Sequence, residues 1–150
     1  MTATIDFAAW QGVNARLQSY ADALDRADLT ALLANFTADA IWDYSPTASR
    51  RGHAEIAAFF EERLGVFART SHNVGPPVVS AGEQTGTLAS VAYFNAVHLL
   101  RDGSRYSVWG RYVDVLAGSG STWHIARRGV VVHVTEGTSR TYNLLPRERP

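Results

Sequence analysis

The sequence contains no cysteine among its 150 residues. This absence excludes a disulfide framework, a thiolate metal site and a cysteine nucleophile. Neither sign of charge is in excess, because 14 arginines balance 14 aspartates and glutamates. A neutral balance gives no reason to expect nucleic acid, an anionic membrane or an acidic substrate as a partner.

Long apolar runs are missing as well. No stretch reaches the roughly 20 apolar residues that cross a bilayer, and the N-terminal segment has no basic region followed by an apolar run. The expected compartment is therefore the cytoplasm. With no repeat, low-complexity segment or linker, the chain is expected to form one domain over residues 1–135. Residues 136–150 are expected to form a C-terminal tail that serves as a lid or an interface segment.

The first half of the chain has a helical period. Apolar residues recur every three or four positions, and Asp6 and Asp28 are suitable N-caps for the first two helices. The predicted elements are helices over 6–25, 29–36 and 53–64 and a brief strand over 40–44. Alternation in that strand places Trp42 and Tyr44 on the same face.

The second half has the period of strands, with predicted ranges 72–81, 87–100, 105–116 and 122–134. Gly75-Pro76-Pro77 breaks or bends the first of these and restricts it to an edge or a bulge. Asp102-Gly103 predicts a two-residue hairpin turn. That turn places three pairs of residues opposite each other: Val97 and Val108, Asn95 and Gly110, and Tyr93 and Tyr112.

This register assigns the side chains to two sheet faces. The first face carries Tyr93, Asn95, Val97, Val108, Gly110 and Tyr112, and the preferred pairing of the last strand adds Arg128, Val130 and Val132. The second face carries Phe94, Ala96, His98, Trp109, Arg111, Val113, Trp123, Ile125 and Arg127. Both faces are apolar, so both should be covered. Three helices can cover one face. The other face needs a partner subunit, so a homo-oligomer is expected, either a dimer or a trimer.

The best candidates for chemistry are His72 and Asp25. An acid that fixes the tautomer of a histidine at the mouth of an apolar cavity forms a general base. A carboxylate is unfavourable at the negative end of a helix, so Asp25 needs another reason for its position. The alternative for His72 is a strand-start histidine that bonds the backbone. No cluster of three metal ligands emerges, so no metal site is expected.

Other residues are candidates for a substrate pocket. Asn95 is an amide among apolar neighbours and needs a bonding partner. Arg128 either faces the pocket or makes a structural pair. The aromatic candidates for shaping the pocket are Tyr20, Trp42, Tyr44, Tyr93 and Tyr112. Surface or interface positions are expected for His53, His124 and His133.

The order of elements, together with several segments, resembles the nuclear transport factor two-like fold. The segments are residues 20–28 (YADALDRAD), 36–40 (FTADA), 70–73 (TSHN), 110–112 (GRY) and 123–125 (WHI). Within that fold the chain looks like the SnoaL-like branch, which includes scytalone dehydratase and hexachlorocyclohexane dehydrochlorinase. The implied architecture is α+β, with a cone-shaped, curved, mostly antiparallel mixed sheet and three N-terminal helices that enclose a pocket.

The resemblance also implies roles for residues. Asp25 and His72 match the acid and the histidine of the lyase dyad. Trp42 matches a pocket tryptophan of the dehydrochlorinase, and Tyr44 a pocket tyrosine of scytalone dehydratase. Arg128 matches a pocket basic residue, although the adjacent Arg127 competes for that assignment. The chain departs from scytalone dehydratase at Leu24, where that enzyme has a tyrosine. No second pocket histidine aligns, because the predicted register puts His98 on the other face.

The function implied by this resemblance is that of a cofactor-independent lyase or isomerase, dehydratase-like, acting on a small hydrophobic cyclic metabolite. Two alternatives remain open. One is a polyketide cyclase or an epoxide-opening enzyme, which a longer pocket and a second acid would indicate. The other is a non-enzymatic ligand-binding or accessory subunit, which a pocket filled by its own aromatic side chains would indicate.

Overall fold

Three helices and seven strands make up residues 5–45 and 47–137, the part of the chain that the computed structural model describes. The helices are α1 (Phe7–Asp25), α2 (Leu29–Leu33) and α3 (Gly52–Val66). The strands are β1 (Phe36–Ser45), β2 (Ala48–Arg51), β3 (Phe67–Val74), β4 (Val78–Ala81), β5 (Thr87–Leu100), β6 (Arg105–Ser119) and β7 (Thr122–Gly137).

The strands form one sheet in the order β2-β1-β7-β6-β5-β3, and β4 also pairs with β5. All neighbours are antiparallel except β1 and β7, which are parallel. The predicted α+β class, with a mixed and mostly antiparallel sheet and three helices in the N-terminal half, is therefore confirmed. Pro76 and Pro77 separate β3 from β4, as expected of a proline pair beside an edge strand.

The end of α1 is fixed by its backbone. Ala27 has a left-handed φ of 52°. The Asp28 N–H donates to the Ala23 carbonyl at 2.9 Å, and the Ala27 N–H donates to the Leu24 carbonyl at 3.0 Å. These two bonds form a Schellman motif, which ends a helix sharply. Asp25 is therefore the last helical residue, next to the point where the chain turns away.

Several predicted boundaries differ from the structure. The strand β2 has no counterpart in the prediction, and α2 ends at Leu33 because Phe36 already belongs to β1. The last strand continues to Gly137, so residues 136 and 137 belong to the sheet instead of the tail. The rest of the predicted tail, residues 138–150, lies outside the described residues.

The predicted register between β5 and β6 is wrong by one residue. The structure pairs Ala92 with Tyr112, Phe94 with Gly110 and Ala96 with Val108. The cause is the length of the hairpin loop. Leu100 and Ser104 are joined by an N–H···O bond of 2.8 Å, so the loop has three residues, Arg101-Asp102-Gly103, with Gly103 at a φ of 84°. A three-residue loop with glycine in the left-handed region is a common hairpin connection.

This one-residue shift reverses the faces that were predicted for β5. Phe94 and His98 point to the inner face, toward the helices and the core. Tyr93, Asn95 and Val97 point to the outer face, where Tyr93 is 62% exposed. Tyr93 and Asn95 therefore do not share a face with Tyr112, which is buried.

A second correction concerns β7. Val115 pairs with Arg127, but Leu116 pairs with Ile125, so the ladder skips Ala126 in a bulge. The bulge interrupts alternation, so that Ile125 and Arg128 are both buried. Trp123 is buried too, and a Cβ added to Gly12 of α1 would lie 2.9 Å from its ring. The prediction that Phe94, Trp123 and Ile125 belong to the outer face is therefore wrong.

The prediction for Trp109 and Val113 agrees with the structure, because both side chains lie on the outer face and are 39% and 40% exposed.

Among the described helices, none is both long and apolar enough to cross a membrane.

Candidate active site

Asp25 and His72 meet where α1 ends beside β3. The Asp25 Oδ1 atom lies 2.7 Å from Nδ1 of His72. The side chain of His72 is 8% exposed and that of Asp25 is 29% exposed. The proximity that the sequence predicts for these residues is therefore present, although they are 47 positions apart.

Two further donors orient the Asp25 carboxylate. The Thr70 hydroxyl donates to Oδ1 at 2.9 Å, and the backbone N–H of His72 donates to Oδ2 at 2.8 Å. Burial alone would raise the pKa of Asp25, but hydrogen bonds from the side chain and backbone of His72, its charge and Thr70 lower it below the usual value. An ionised carboxylate beside Nδ1 holds the proton of a neutral imidazole there, which leaves Nε2 unprotonated.

The cavity beside this pair consists of two small, adjoining volumes of about 60 and 50 Å³. His72 and Thr70 line the first, Tyr20 and Tyr112 line the second, and Trp42, Tyr44 and His98 line both. The remaining lining residues are Leu24, Phe59, Phe60, Arg63, Leu64, Phe67, Phe94, Tyr106, Val108 and Val130. Aromatic rings fill much of this space, since Trp42 stacks on Tyr44 at 5.1 Å and lies 4.7 Å from Phe59.

His98 is a site residue that the sequence reasoning assigned to the wrong face. Its ring contacts His72 edge-on at a centroid distance of 5.4 Å and stacks on Tyr106 at 4.3 Å. Burial, followed by the charge of His72, lowers the pKa of His98 to about 4. His98 is therefore neutral near pH 7. Its ring hydrogen-bonds the backbone of Tyr106, and its Nδ1 atom is buried without a partner, so one ring nitrogen remains to meet a bound molecule. A correct loop length for the β5–β6 hairpin would have located it.

We expect stability to fall as His98 is forced to accept a proton. An unfolded histidine titrates near 6.5, whereas folded His98 titrates at about 4, so between these values the unfolded state binds more protons. The free energy of unfolding should therefore decrease as the pH is lowered from about 6.5 to 4, by on the order of 2–3 kcal/mol. Urea unfolding at several pH values measures this.

The matched control for that experiment is His98→Asn, which removes the titrating group. Its unfolding free energy should change less over the same pH interval, and an equally steep dependence would contradict the assignment. Asp25 is present in both proteins. Because its pKa is lowered, protonating it reduces stability only below the pH interval compared here.

Arg128 lies behind the cavity and makes the structural pair that the sequence left as one of two options. Its Nε and Nη2 donate to the two carboxylate oxygens of Asp114 at 2.9 and 2.7 Å, and both side chains are 0% exposed. The guanidinium carbon is 4.1 Å from the ring centre of Tyr20 and 4.0 Å from that of Tyr112. Tyr20 and Tyr112 thus separate Arg128 from the cavity that they line.

Electrostatics in this cluster favour a charged pair. Burial raises the pKa of Asp114, and the charge and hydrogen bonds of Arg128 oppose that rise. Burial would lower the pKa of Arg128, but Asp114 raises it further above its usual value. Burial also raises the pKa of both Tyr20 and Tyr112, so these phenols stay neutral. The adjacent Arg127 points outward and pairs with Asp43 at 2.8 Å.

The remaining two predicted pocket residues lie elsewhere. Tyr93 and Asn95 line a groove of about 590 Å³ on the outer sheet face, together with Asn73, Trp109 and His133. The register shift accounts for this position. In the described part of the chain, no group of three or more histidine, aspartate or glutamate side chains is placed to hold a metal ion.

Comparison with known proteins identifies the domain. The model of a family described as a SnoaL-like domain matches residues 9–129. No curated protein sequence matches the chain significantly.

Three solved structures illustrate the likeness. A Novosphingobium aromaticivorans protein, provisionally named a scytalone dehydratase, has a TM-score of 0.84 and 20% identity over 93% of this chain and 94% of its own. Another protein from that organism, provisionally named an aromatic ring hydroxylase, has a TM-score of 0.83 and 25% identity over 90% of this chain and 96% of its own. A type 2 hexachlorocyclohexane dehydrochlorinase has a TM-score of 0.75 and 9% identity over 87% of this chain and 89% of its own. At such low identities the structural likeness supports the fold alone, and the reaction has to be argued from the residues.

Proposed function

This chain belongs to the SnoaL-like domain family, and we propose that it is a cofactor-independent lyase or isomerase that acts on a small hydrophobic cyclic metabolite. The observation that carries the proposal is the 2.7 Å hydrogen bond between Asp25 and His72 beside an aromatic cavity. The provisional name of one structural neighbour, scytalone dehydratase, agrees with dehydratase-like chemistry.

In the proposed mechanism, Nε2 of His72 removes a proton from a carbon next to a carbonyl or opposite a leaving group. Asp25 keeps the other ring nitrogen protonated and stabilises the imidazolium that forms, and general-base catalysis needs both tasks. In an elimination the electron pair of the broken C–H bond forms the double bond and the leaving group departs. In an isomerisation the same pair forms an enolate, which is reprotonated at another carbon.

Negative charge develops on the substrate oxygen or the leaving group and needs hydrogen-bond donors. Tyr44 lines the cavity beside His72 and is the proposed donor. Two residues expected in this role are placed differently, since Asn95 lies on the outer face and Arg128 is committed to Asp114.

The two alternatives can be weighed against the cavity. A second acid would favour a polyketide cyclase or an epoxide-opening enzyme, but the described lining residues include no aspartate or glutamate. A cavity filled by its own rings would favour a non-enzymatic ligand-binding or accessory subunit. The small volumes of about 50 and 60 Å³ are the observation in favour of that second candidate.

Solvent deuterium exchange can test for the proposed base without knowledge of the substrate. A panel of small cyclic ketones is incubated with the protein in D₂O, and loss of the α-proton signal is followed by NMR. The proposed base predicts faster exchange for at least one ketone with the wild type than with His72→Ala. A ligand-binding subunit would bind ketones without accelerating their exchange.

We also propose that the chain forms a homo-oligomer, a dimer or a trimer, through the outer sheet face. Several large apolar side chains are exposed there: Tyr93, Val97, Leu99, Trp109, Val113 and Val134. These side chains lie on three adjacent strands, and soluble monomers rarely expose contiguous apolar patches larger than a few hundred Å². Covering one large aromatic side chain removes roughly 150–250 Å² from water, and each Å² of apolar surface buried stabilises the assembly by about 25 cal/mol.

The expected result is that Trp109→Glu sediments as a monomer or aggregates, while the wild type sediments as an oligomer at micromolar concentration. Trp109 suits this test because it is on the surface, whereas Trp123 packs against α1 and would report on folding. Thr122→Glu, at an exposed position of β7, is the control and should leave the oligomer intact. A monomeric wild type would contradict the proposal.

A further inference from the structure

Arg63 has no role in the dyad or the core. It lies near the end of α3 and lines the His72 side of the cavity. Its guanidinium carbon is 5.4 Å from the ring centre of Phe67. Among the described lining residues, Arg63 is the only one with a permanent charge, and this charge also helps to lower the pKa of His98 after burial and His72.

Among the described residues, the guanidinium of Arg63 has no counter-ion. Within residues 5–45 and 47–137, no carboxylate oxygen lies within 4.0 Å of it, and its Nη2 atom is buried without a hydrogen-bond partner. Arg128 differs in having a counter-ion: Asp114 satisfies two of its nitrogens, and its Nη1 atom alone lacks a partner. A buried donor without an acceptor is unfavourable, and a bound anion would relieve that cost.

We propose that Arg63 binds an anionic group of the substrate, a carboxylate or a phenolate, and so selects acidic ring compounds. This inference rests on the proposed function of the same site. A guanidinium presents parallel N–H donors that match a carboxylate, and it binds more weakly to a neutral amide of the same shape. With its anion on Arg63, a small ring would lie among Trp42, Tyr44 and Phe59, next to His72 and His98.

Benzoate and benzamide are suitable probes, since they have nearly the same shape and differ in charge. NMR titration of the wild type should give a benzoate affinity about 10-fold or more above that of benzamide. Arg63→Met keeps the length of the side chain and removes the charge. It should weaken benzoate binding by about 10- to 100-fold and change benzamide binding by less than about threefold.

Arg50→Met is the matched control. Arg50 also places its guanidinium 5.4 Å from an aromatic ring of this cavity, that of Phe59, but it is not among the lining residues. It should leave both affinities unchanged. Arg63→Lys should retain a preference for benzoate, and it guards against a misfolded Arg63→Met protein.

Repeating the titrations in His72→Ala separates this inference from the proposed function. An Arg63-dependent preference that persists in His72→Ala assigns the anion site to Arg63 itself. A wild type that binds benzoate no better than benzamide at millimolar concentration, or an Arg63→Met protein with the wild-type preference, overturns the inference. Neither outcome bears on proton transfer, which the deuterium-exchange experiment measures independently.

Discussion

His72→Ala should lower the rate of proton transfer by about a hundred- to ten-thousand-fold, the range that a positioned general base supplies. The loss follows from the geometry, because Nε2 of His72 is the only ring nitrogen of this residue that Asp25 leaves unprotonated. The rate is measured as deuterium exchange into the best ketone of the panel or, once a substrate is known, as kcat. A variant with unchanged turnover would refute the base.

Asp25→Asn should give a loss of the same order while preserving the fold. The carboxylate accepts hydrogen bonds at both oxygens, from Nδ1 of His72 and from its backbone N–H. An asparagine has one acceptor oxygen, so one donor must face its NH₂ group. If the NH₂ group faces Nδ1, the imidazole proton moves to Nε2 and the base is lost.

Thr70→Val is the control for this interpretation. It removes one hydrogen bond to Oδ1 of Asp25 but leaves both bonds from His72. Its activity should stay within about tenfold of the wild type, as the loss of one ordinary hydrogen bond predicts. An Asp25→Asn protein that retains full activity would show that the carboxylate has a structural role instead.

The sequence was sufficient to predict the long elements and the Asp25–His72 contact. Helical and strand periods are local signals, and the helix over 6–25 and the strand over 87–100 match α1 and β5 within one residue. The dyad was reached through the resemblance of its segments to the SnoaL-like family, which supplies long-range information that periodicity lacks.

The faces of the sheet were not predictable from the same signals. Both faces of β5 and β6 carry apolar residues, so alternation could not choose between registers. Asp102-Gly103 fits a two-residue turn and also the last two positions of a three-residue loop. This single ambiguity moved His98 out of the site and moved Tyr93 and Asn95 into it. Asp114 shows a related limit, because a buried charge becomes recognisable only when its partner Arg128 is located.

The largest effect on stability is expected at that buried pair. Asp114→Asn leaves the guanidinium of Arg128 enclosed by Tyr20 and Tyr112 without a carboxylate. Removing one partner of a buried ion pair destabilises a protein by about 3–5 kcal/mol. We expect the free energy of unfolding, measured by urea denaturation, to fall by that amount.

Arg128→Met should be similarly harmful at neutral pH but should depend on pH in a way that Asp114→Asn does not. Burial already raises the pKa of Asp114, and without Arg128 nothing offsets that rise. The folded variant then holds a proton that the unfolded chain releases near 3.9, so its stability falls as the pH rises through and above that value. The loss of stability of Arg128→Met relative to the wild type should therefore be smallest in acid.

The exposed pair of Arg127 and Asp43 provides the matched control, because it joins a neighbouring residue of β7 to β1 at 2.8 Å. Asp43→Asn should change stability by about 0–1 kcal/mol, as exposed ion pairs do. The double variant Asp114→Leu/Arg128→Met removes both buried charges and should recover much of the loss of either single change. If Asp114→Asn were no more destabilising than Asp43→Asn, the buried pair would not hold the charged, desolvated state that its geometry requires.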